Sequence, residues 1–347
     1  MSATTEITIL TTSARKDHPL IGLPQAFLFQ PTVESLNRQT YRDFEWVLVD
    51  ANWSREREER LRSKADFRLK YVDPRPNRFL ERGLWANGSM KNAGIVKASG
   101  RLVIFLDDCT DLPPDWLEKM ASWWDKGMYP MSLTYYYEGG RPKFVGDGTS
   151  HEELLYGRML DHESKWRSFL EIGTIMRDSR AAEVEKNAAM LAPPSWFYGG
   201  SSAPLETLLA INGMDERCDG QKGLDDVEVG MRIARAGFSR FLLKKELRHI
   251  EHRHESLDER VFFYRGPPLV CNFAIVQYNF QYEEPRVNER VMTREDCELI
   301  RSKICPACQN YNRCKGEELA GRFYVTEEGL DLWLSLQRTR NLREERE

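Results

Sequence analysis

Two aspartates close the apolar run of "RLVIFLDDCTD": Asp107 and Asp108 follow Leu102–Leu106, and Cys109, Thr110 and Asp111 come next. Paired carboxylates at the end of a buried strand offer hard oxygens that suit Mg²⁺ or Mn²⁺ bridging a diphosphate. The same two acids would also serve to cap a following turn. A second pair, Asp225 and Asp226, opens the helical pattern "LDDVEVGMRIARAG". The helix dipole favours acids there in any case, and Asp226 or Glu228 beside a nucleophile would act as general base. A third group is His249, His252 and His254, three of the six histidines. A strand-end histidine facing the first acids would complete a metal site. A fourth is Cys297, Cys305, Cys308 and Cys314. Their C-x7-C-x2-C-x5-C spacing suits a structural tetrahedral Zn²⁺, with an iron–sulfur cluster or free thiols as alternatives.

These groups need elements to hold them. "ITILTT", "FEWVLVD" and "FRLKYVD" read as strands. "PTVESLNRQT", with Pro31 at its start, and "SREREERLRSKAD", opened by Ser54, read as helices, as do "GSMKNAGIVKASG" and "PPDWLEKMASWWDKG". Strand–helix alternation with continuous apolar strands implies an α/β fold, a mostly parallel sheet flanked by helices. Ligands of such sheets bind beyond the carboxyl ends of the strands, where Asp50, Asp107 and Asp108 all fall. "WFYGGSSAPLETLLAINGMDE" puts the pair Gly199–Gly200 ahead of a helix, and "FSRFLLKKELRHIEHRH" reads as a late strand running into the histidines. Residues of about 138–190 read as an insertion in a domain spanning 1–264. Composition changes after about 265, so 265–347 reads as a small helical C-terminal appendage with its zinc knuckle at 297–314.

With 347 residues, 41% hydrophobic and 11% aromatic, the chain can bury a sizeable core. Its net charge of −4 provides no global field toward nucleic acid or anionic lipid. "MSATTEITIL" lacks the basic start and apolar run of a signal peptide. The longest uncharged run, 266–282, is too polar to span a membrane. A cytoplasmic protein is expected, its cysteines free or metal-bound rather than in disulfides. Trp123 and Trp124 read as core, while Trp196, Phe197 and Tyr198, beside the glycine pair, have the better claim on an acceptor.

Four stretches, in this order, carry a resemblance over residues 5–255: "QTYRDFEWVLVDAN", "MKNAGIVKASGRLVIFLDDC", "GGSSAPLETLLAINGMDE" and "GLDDVEVGMRIARAGF". The chain resembles the family 2 glycosyltransferases, a mostly inverting family with the nucleotide-diphospho-sugar-binding fold called GT-A. The resemblance implies that Thr11 and Ser13 line a nucleotide and that Asp50 accepts a hydrogen bond from its base, as in uridine recognition. Lys91 and Asn92 stand where the family often has Arg-Asn near the nucleotide. Asp107 and Asp108 would hold the ribose and a metal-bound diphosphate, and Gly199 and Gly200 would let the backbone approach the donor sugar. Asp226 matches the catalytic base. His249, with His252, would be the late ligand of a Mn²⁺ or Mg²⁺ also held by Asp108. The implied reaction moves a hexosyl or N-acetylhexosaminyl group, with a UDP-sugar favoured as donor, to an acceptor hydroxyl with inversion. The acceptor stays open between protein, glycan, small molecule and modified nucleic acid.

The chain departs from the family at four places: "TTSARKDH" in the first loop, "DANW" after the second strand, Asp225-Asp226 where the family has Glu-Asp, and Cys109 where a third acid often stands. Either Cys109 replaces a metal ligand, for which sulfur is poor with Mg²⁺ or Mn²⁺, or the register shifts by one. In the second case, the preferred one, Asp108 is the ligand and Cys109 is packing. Three alternatives stand beside the inverting enzyme: a binding or scaffold protein that keeps the fold without turnover, a retaining transferase on the same fold, and a nucleotidyltransferase.

Overall fold

The computed structural model describes residues 6–15, 27–137, 175–177, 180–221, 223–252, 271–307 and 327–347. His254, Cys308, Cys314 and most of the expected insertion lie outside the described residues, as does the side chain of His252. The chain divides into two compact units. One comprises Met1–Asp73, Ala98–Leu205 and Arg240–Asp258, the other Pro74–Lys97, Glu206–Ser239 and Glu259–Glu347.

The first unit holds the strands β1 (Ile7–Ser13), β2 (Phe44–Asp50), β3 (Arg68–Val72), β4 (Leu102–Phe105), β5 (Thr110–Asp111), β6 (Tyr129–Tyr137), β7 (Ile175–Arg177), β8 (Ala189–Leu191), β9 (Ser202–Pro204) and β10 (Phe241–His252). One sheet runs β3-β2-β1-β4-β9, parallel except for the antiparallel β9. Every residue of β2 and β4 is buried, which is why β4, and β2 from Trp46 to Val49, read as continuous apolar runs rather than alternating ones. Val33 and Leu36 of the helix Gln30–Asn37, and Trp116, Leu117 and Met120 of the helix Trp116–Trp124, pack with Ile7, Ile9, Trp46, Leu48, Leu102 and Ile104 in one core. Each such side chain contributes roughly 1.5–3 kcal/mol. Together they hold the strand ends in register: Ser13 lies opposite Asp50, and Leu10 opposite Phe105. β1 therefore runs three residues beyond its pairing with β4, so Ser13 comes alongside the acidic turn that follows β4.

The second sheet of this unit runs β5-β10-β6-β7, with β8 paired to β10. β10 is parallel to β6, with a shift of register between Leu243 and Arg248. It is antiparallel to β5, pairing Ile250 with Asp111 and Glu251 with Thr110. The late strand is thereby brought directly beside the acidic turn.

The second unit is helical, built around charges that are buried and partnered. Arg217 pairs with Asp215 at 2.8 Å and also donates to Asn279 Oδ1 at 3.0 Å. Asn279 in turn donates to Glu228, which Arg232 holds at 2.6 Å. Glu216 takes Arg340 at 2.7 Å and Arg338 at 3.1 Å. The helices Asn272–Tyr282 and Glu327–Leu336 and the residues after them, all in the stretch that composition sets apart, thus belong to the same unit as the helix Asp225–Arg235. Arg340 and Asn279 look like surface in the sequence, but inside they are satisfied by Glu216, and by Asp215, Arg217 and Glu228. Thr293 caps the helix Arg294–Leu299 with a capping box, and Cys297 is buried on it. Among the described residues, no helix is long and apolar enough to cross a membrane.

Candidate functional site

Asp107 and Asp108 occupy the turn at the carboxyl end of β4 and differ in setting: Asp107 is exposed and Asp108 buried. Ser13 Oγ donates to Asp108 Oδ2 at 2.6 Å, and Arg15 Nη1 donates to Oδ1 at 2.9 Å. Ser13 and Asp108, singled out separately in the sequence, are thus brought together. Arg15 was not foreseen. Asp108, Cys109, Glu251 and Asp107 all act on its guanidinium, and together they raise its pKa, Asp108 most. Glu251 reaches this group because β10 lies on β5. Alternation along the strand sets it on the same side as His249, a signal that "HIEHRH" carries once the strand register is known.

Cys109 is fully buried in the apolar core and takes a left-handed backbone, φ 59°. Burial pushes its thiol well above the usual value, so it stays protonated at neutral pH and packs beneath the turn. Asp111 is held by Arg38 at 3.0 Å.

The glycine pair is tied to the same place. Gly200 N donates to Phe105 O at 2.8 Å, and Ser132 N to Gly200 O at 2.9 Å. A Cβ at Gly199 would come within 2.5 Å of Asp107 Oδ2. Gly200 has φ +77°, and a Cβ there would meet His249 Cε1 at 2.7 Å and Ser132 O at 2.8 Å. Only glycine lets the chain pass between the acid and the strand behind it. Arg180, almost fully buried, fastens this strap: its guanidinium donates to the carbonyls of Trp196, Ser132 and Gly199 and lies 3.7 Å from the centre of the Tyr198 ring. Phe197 is core, edge-on to Phe105 and Phe241, and Trp196 is half-buried.

His249 is fully buried behind the strap. Its Nδ1 is 2.8 Å from Ser132 Oγ and its Nε2 3.3 Å from Thr134 Oγ1. Both ring nitrogens therefore engage hydroxyls. Among the described residues, no three His, Cys, Asp or Glu side chains converge as a metal cage.

Asp50, at the end of β2, is buried, with Tyr71 Oη donating at 2.5 Å, Asn52 N at 2.9 Å and Arg57 at 3.0 Å. Burial raises its carboxyl above the usual range, against the pull of Arg57 and Tyr71. Thr11 accepts from the Trp46 indole at 3.0 Å inside the core.

In the second unit, Asp225 and Asp226 open the helix Asp225–Arg235 and share the ammonium of Lys91, which hydrogen-bonds to Asp226 and lies 3.6 Å from Asp225. Asn87 donates to Asp225 at 2.6 Å. The Asp226 side chain is 32% exposed against 7% for Asp225, so Asp226 is the member of the pair that a substrate can reach. Glu228, buried and bound to Arg232, belongs to the scaffold. So does Asn92, fully buried, which clamps Met214 from both sides by donating to its carbonyl at 2.9 Å and accepting from its N–H at 2.7 Å.

Residues 28–179 match the family model described as glycosyl transferase family 2. No curated protein matches the chain. Among solved structures, it is similar to S. aureus TarS 1-349 in complex with UDP-GlcNAc, at 14% identity and a TM-score of 0.46, covering 95% of this chain and 79% of that one. The same TarS segment in complex with UDP gives 13% identity and 0.45, over 95% and 78%. TarS itself gives 12% and 0.42, with 95% of this chain spanning 48% of the other. At that level of similarity, neither donor nor residue roles carry across.

Proposed function

We propose that this chain, which carries a family 2 glycosyltransferase domain, moves a hexosyl or N-acetylhexosaminyl group from a nucleoside-diphosphate sugar, UDP-linked by preference, to an acceptor hydroxyl with inversion. The observation that carries the reading is the gathering of Ser13, Asp50, Asp107, Asp108 and the Gly199–Gly200 strap at the carboxyl ends of β1, β2 and β4, where parallel sheets bind nucleotides. In this reading Asp50 meets the base, and Asp107 and Asp108 serve the ribose and diphosphate. The strap gives the sugar room that a side chain would fill.

The donor set fits a hard divalent cation by its chemistry. The Asp108 carboxylate already holds a positive charge, the Arg15 guanidinium. Asp108, with His249 as the late ligand, would hold Mn²⁺ or Mg²⁺. Such an ion, when bound, offsets charge growing on the departing diphosphate. Asp226 accepts the proton of the attacking acceptor hydroxyl. As the new C–O bond forms at the anomeric carbon, the bond to the diphosphate oxygen breaks, and the nucleoside diphosphate leaves with the electron pair. A single displacement from the opposite face inverts the configuration. Lys91 is the counter-ion that keeps Asp226 in place. Cys297 and Cys305, with Cys308 and Cys314, are read on their spacing as a structural Zn²⁺ knuckle, for which the Cys297 thiol, pushed by burial up to about 11, would need a metal to ionise.

The test is donor hydrolysis. Purified protein is given UDP-, GDP- and TDP-sugars with Mn²⁺ or EDTA, beside Asp108→Asn and Asp226→Asn. One donor should be hydrolysed, and Asp226→Asn should lower that hydrolysis about 10²–10⁴-fold while the nucleotide still raises the melting temperature. No hydrolysis of any donor, with no thermal stabilisation by any nucleotide, would sink the reading.

A further inference from the structure

Asp108 is the acid on which cation binding at the strand ends must turn, yet both its oxygens are engaged: Oδ2 by Ser13 and Oδ1 by Arg15. Arg217 and Arg232, which hold Asp215 and Glu228, keep 4% and 1% side-chain exposure, whereas Arg15 keeps 23%. It lies two residues beyond β1 and stands at the mouth of the strand ends rather than within a core. Its guanidinium cannot be neutralised near neutral pH, so it gives up Asp108 only by moving away. A divalent cation seeking the Asp108 oxygens meets a charge already bonded to one of them.

We propose that Arg15 is a built-in counter-cation for Asp108 and competes with the divalent ion for that carboxylate. The inference rests on reading the strand ends as the donor site and adds to it an order of events. Without nucleotide, Arg15 masks Asp108 and the metal binds weakly. An arriving diphosphate is a better partner for the guanidinium, draws it off Asp108 and supplies oxygens of its own, so ion and donor enter together.

The experiment needs neither nucleotide nor turnover. The full chain is titrated with Mn²⁺ and free Mn²⁺ is read by electron paramagnetic resonance, for wild type, Arg15→Gln, Arg15→Lys and Arg15→Gln with Asp108→Asn. Arg15→Gln should bind Mn²⁺ at least about fivefold more tightly than wild type. Arg15→Lys, which keeps the charge, should stay near wild type, and Asp108→Asn should erase the gain. Arg15→Met removes the same charge and serves if Arg15→Gln does not fold. Unchanged or weaker Mn²⁺ binding without the guanidinium overturns the proposal, as does a gain that survives Asp108→Asn, or no Mn²⁺ binding by any form. Because donor hydrolysis is not read, failure of the transferase reading shows separately, as intact nucleotide sugars.

Discussion

Asp215, Glu216 and Glu228 in the second unit and Asp107 and Asp108 in the first are all acids near arginines, yet they are held in opposite ways. In the second unit each acid is buried, and the buried Arg217, Arg232 and Arg340 close on them with Asn92 and Asn279 taking further oxygens. In the first, Asp107 is exposed and Asp108 rests on a hydroxyl and a quarter-exposed arginine. A buried charge short of partners is costly, so the network that holds the helices together is densely cross-linked, although Glu228 Oε2 is buried without a partner. Acids meant to meet a ligand are left with a partner that can be displaced. The difference separates charges that build from charges that act, more surely than residue type does.

The comparison is broken most directly by opening the cross-linked network. Arg217→Ala strands Asp215 in the interior and should cost about 3–5 kcal/mol in denaturant unfolding. A loss below about 1 kcal/mol would mean that the second unit does not depend on its buried pairs. Next comes the glycine strap of the first unit. Gly200→Ala forces a Cβ into His249 and Ser132 with a left-handed backbone and should cost about 2–4 kcal/mol. Gly199→Ala presses only on the end of the Asp107 side chain, so it should leave unfolding within about 1 kcal/mol and instead abolish donor hydrolysis. Equal destabilisation by the two would erase the distinction between strap and site.

The smallest effect sharpens the comparison through pH. Burial opposes ionisation of Glu216, but Arg340 and Arg338 outweigh it and hold the carboxyl below the ordinary value of 4.5. For an acid whose folded pKa is depressed, the stabilisation is fully present above the unfolded value and is lost as pH falls through the folded one. Melting temperatures should therefore drop below about pH 4.5 in wild type, and Glu216→Gln, less stable at neutral pH, should lose part of that acid dependence. Parallel profiles for the two proteins would assign the acid sensitivity elsewhere.

Much of the first unit was legible because its signals are local. Short apolar-rich runs marked β1, β2 and β4, Pro31 and Ser54 marked helix starts, and Asp50, Asp107 and Asp108 fell at strand ends by position alone. Roles that depend on register between distant segments were not. Arg15 gains its meaning from Asp108, and Glu251 from the pairing of β10 with β5. His249 was expected from its type and place near a strand end, but a sequence does not say that Ser132 and Thr134 meet its two nitrogens. Asn92 likewise looks like a nucleotide ligand until Met214 is found between its amide groups. The arginines and asparagines after residue 272 carry no periodic apolar signal that would mark them as interior, because their burial is satisfied by partners far away in the chain.

That distance has a consequence for biosynthesis. Arg346 donates to the carbonyls of Ile95 and Val96, and Arg78 to that of Gln337, so hydrogen bonds of the second unit span up to 259 residues of chain. β10, the strand to which β5, β6 and β8 all pair, arrives only with residues 241–252. On a translating ribosome the first unit could close soon after residue 258 emerges. The second must wait for nearly ninety more, holding its half-paired arginines and carboxylates in water until the partners are made.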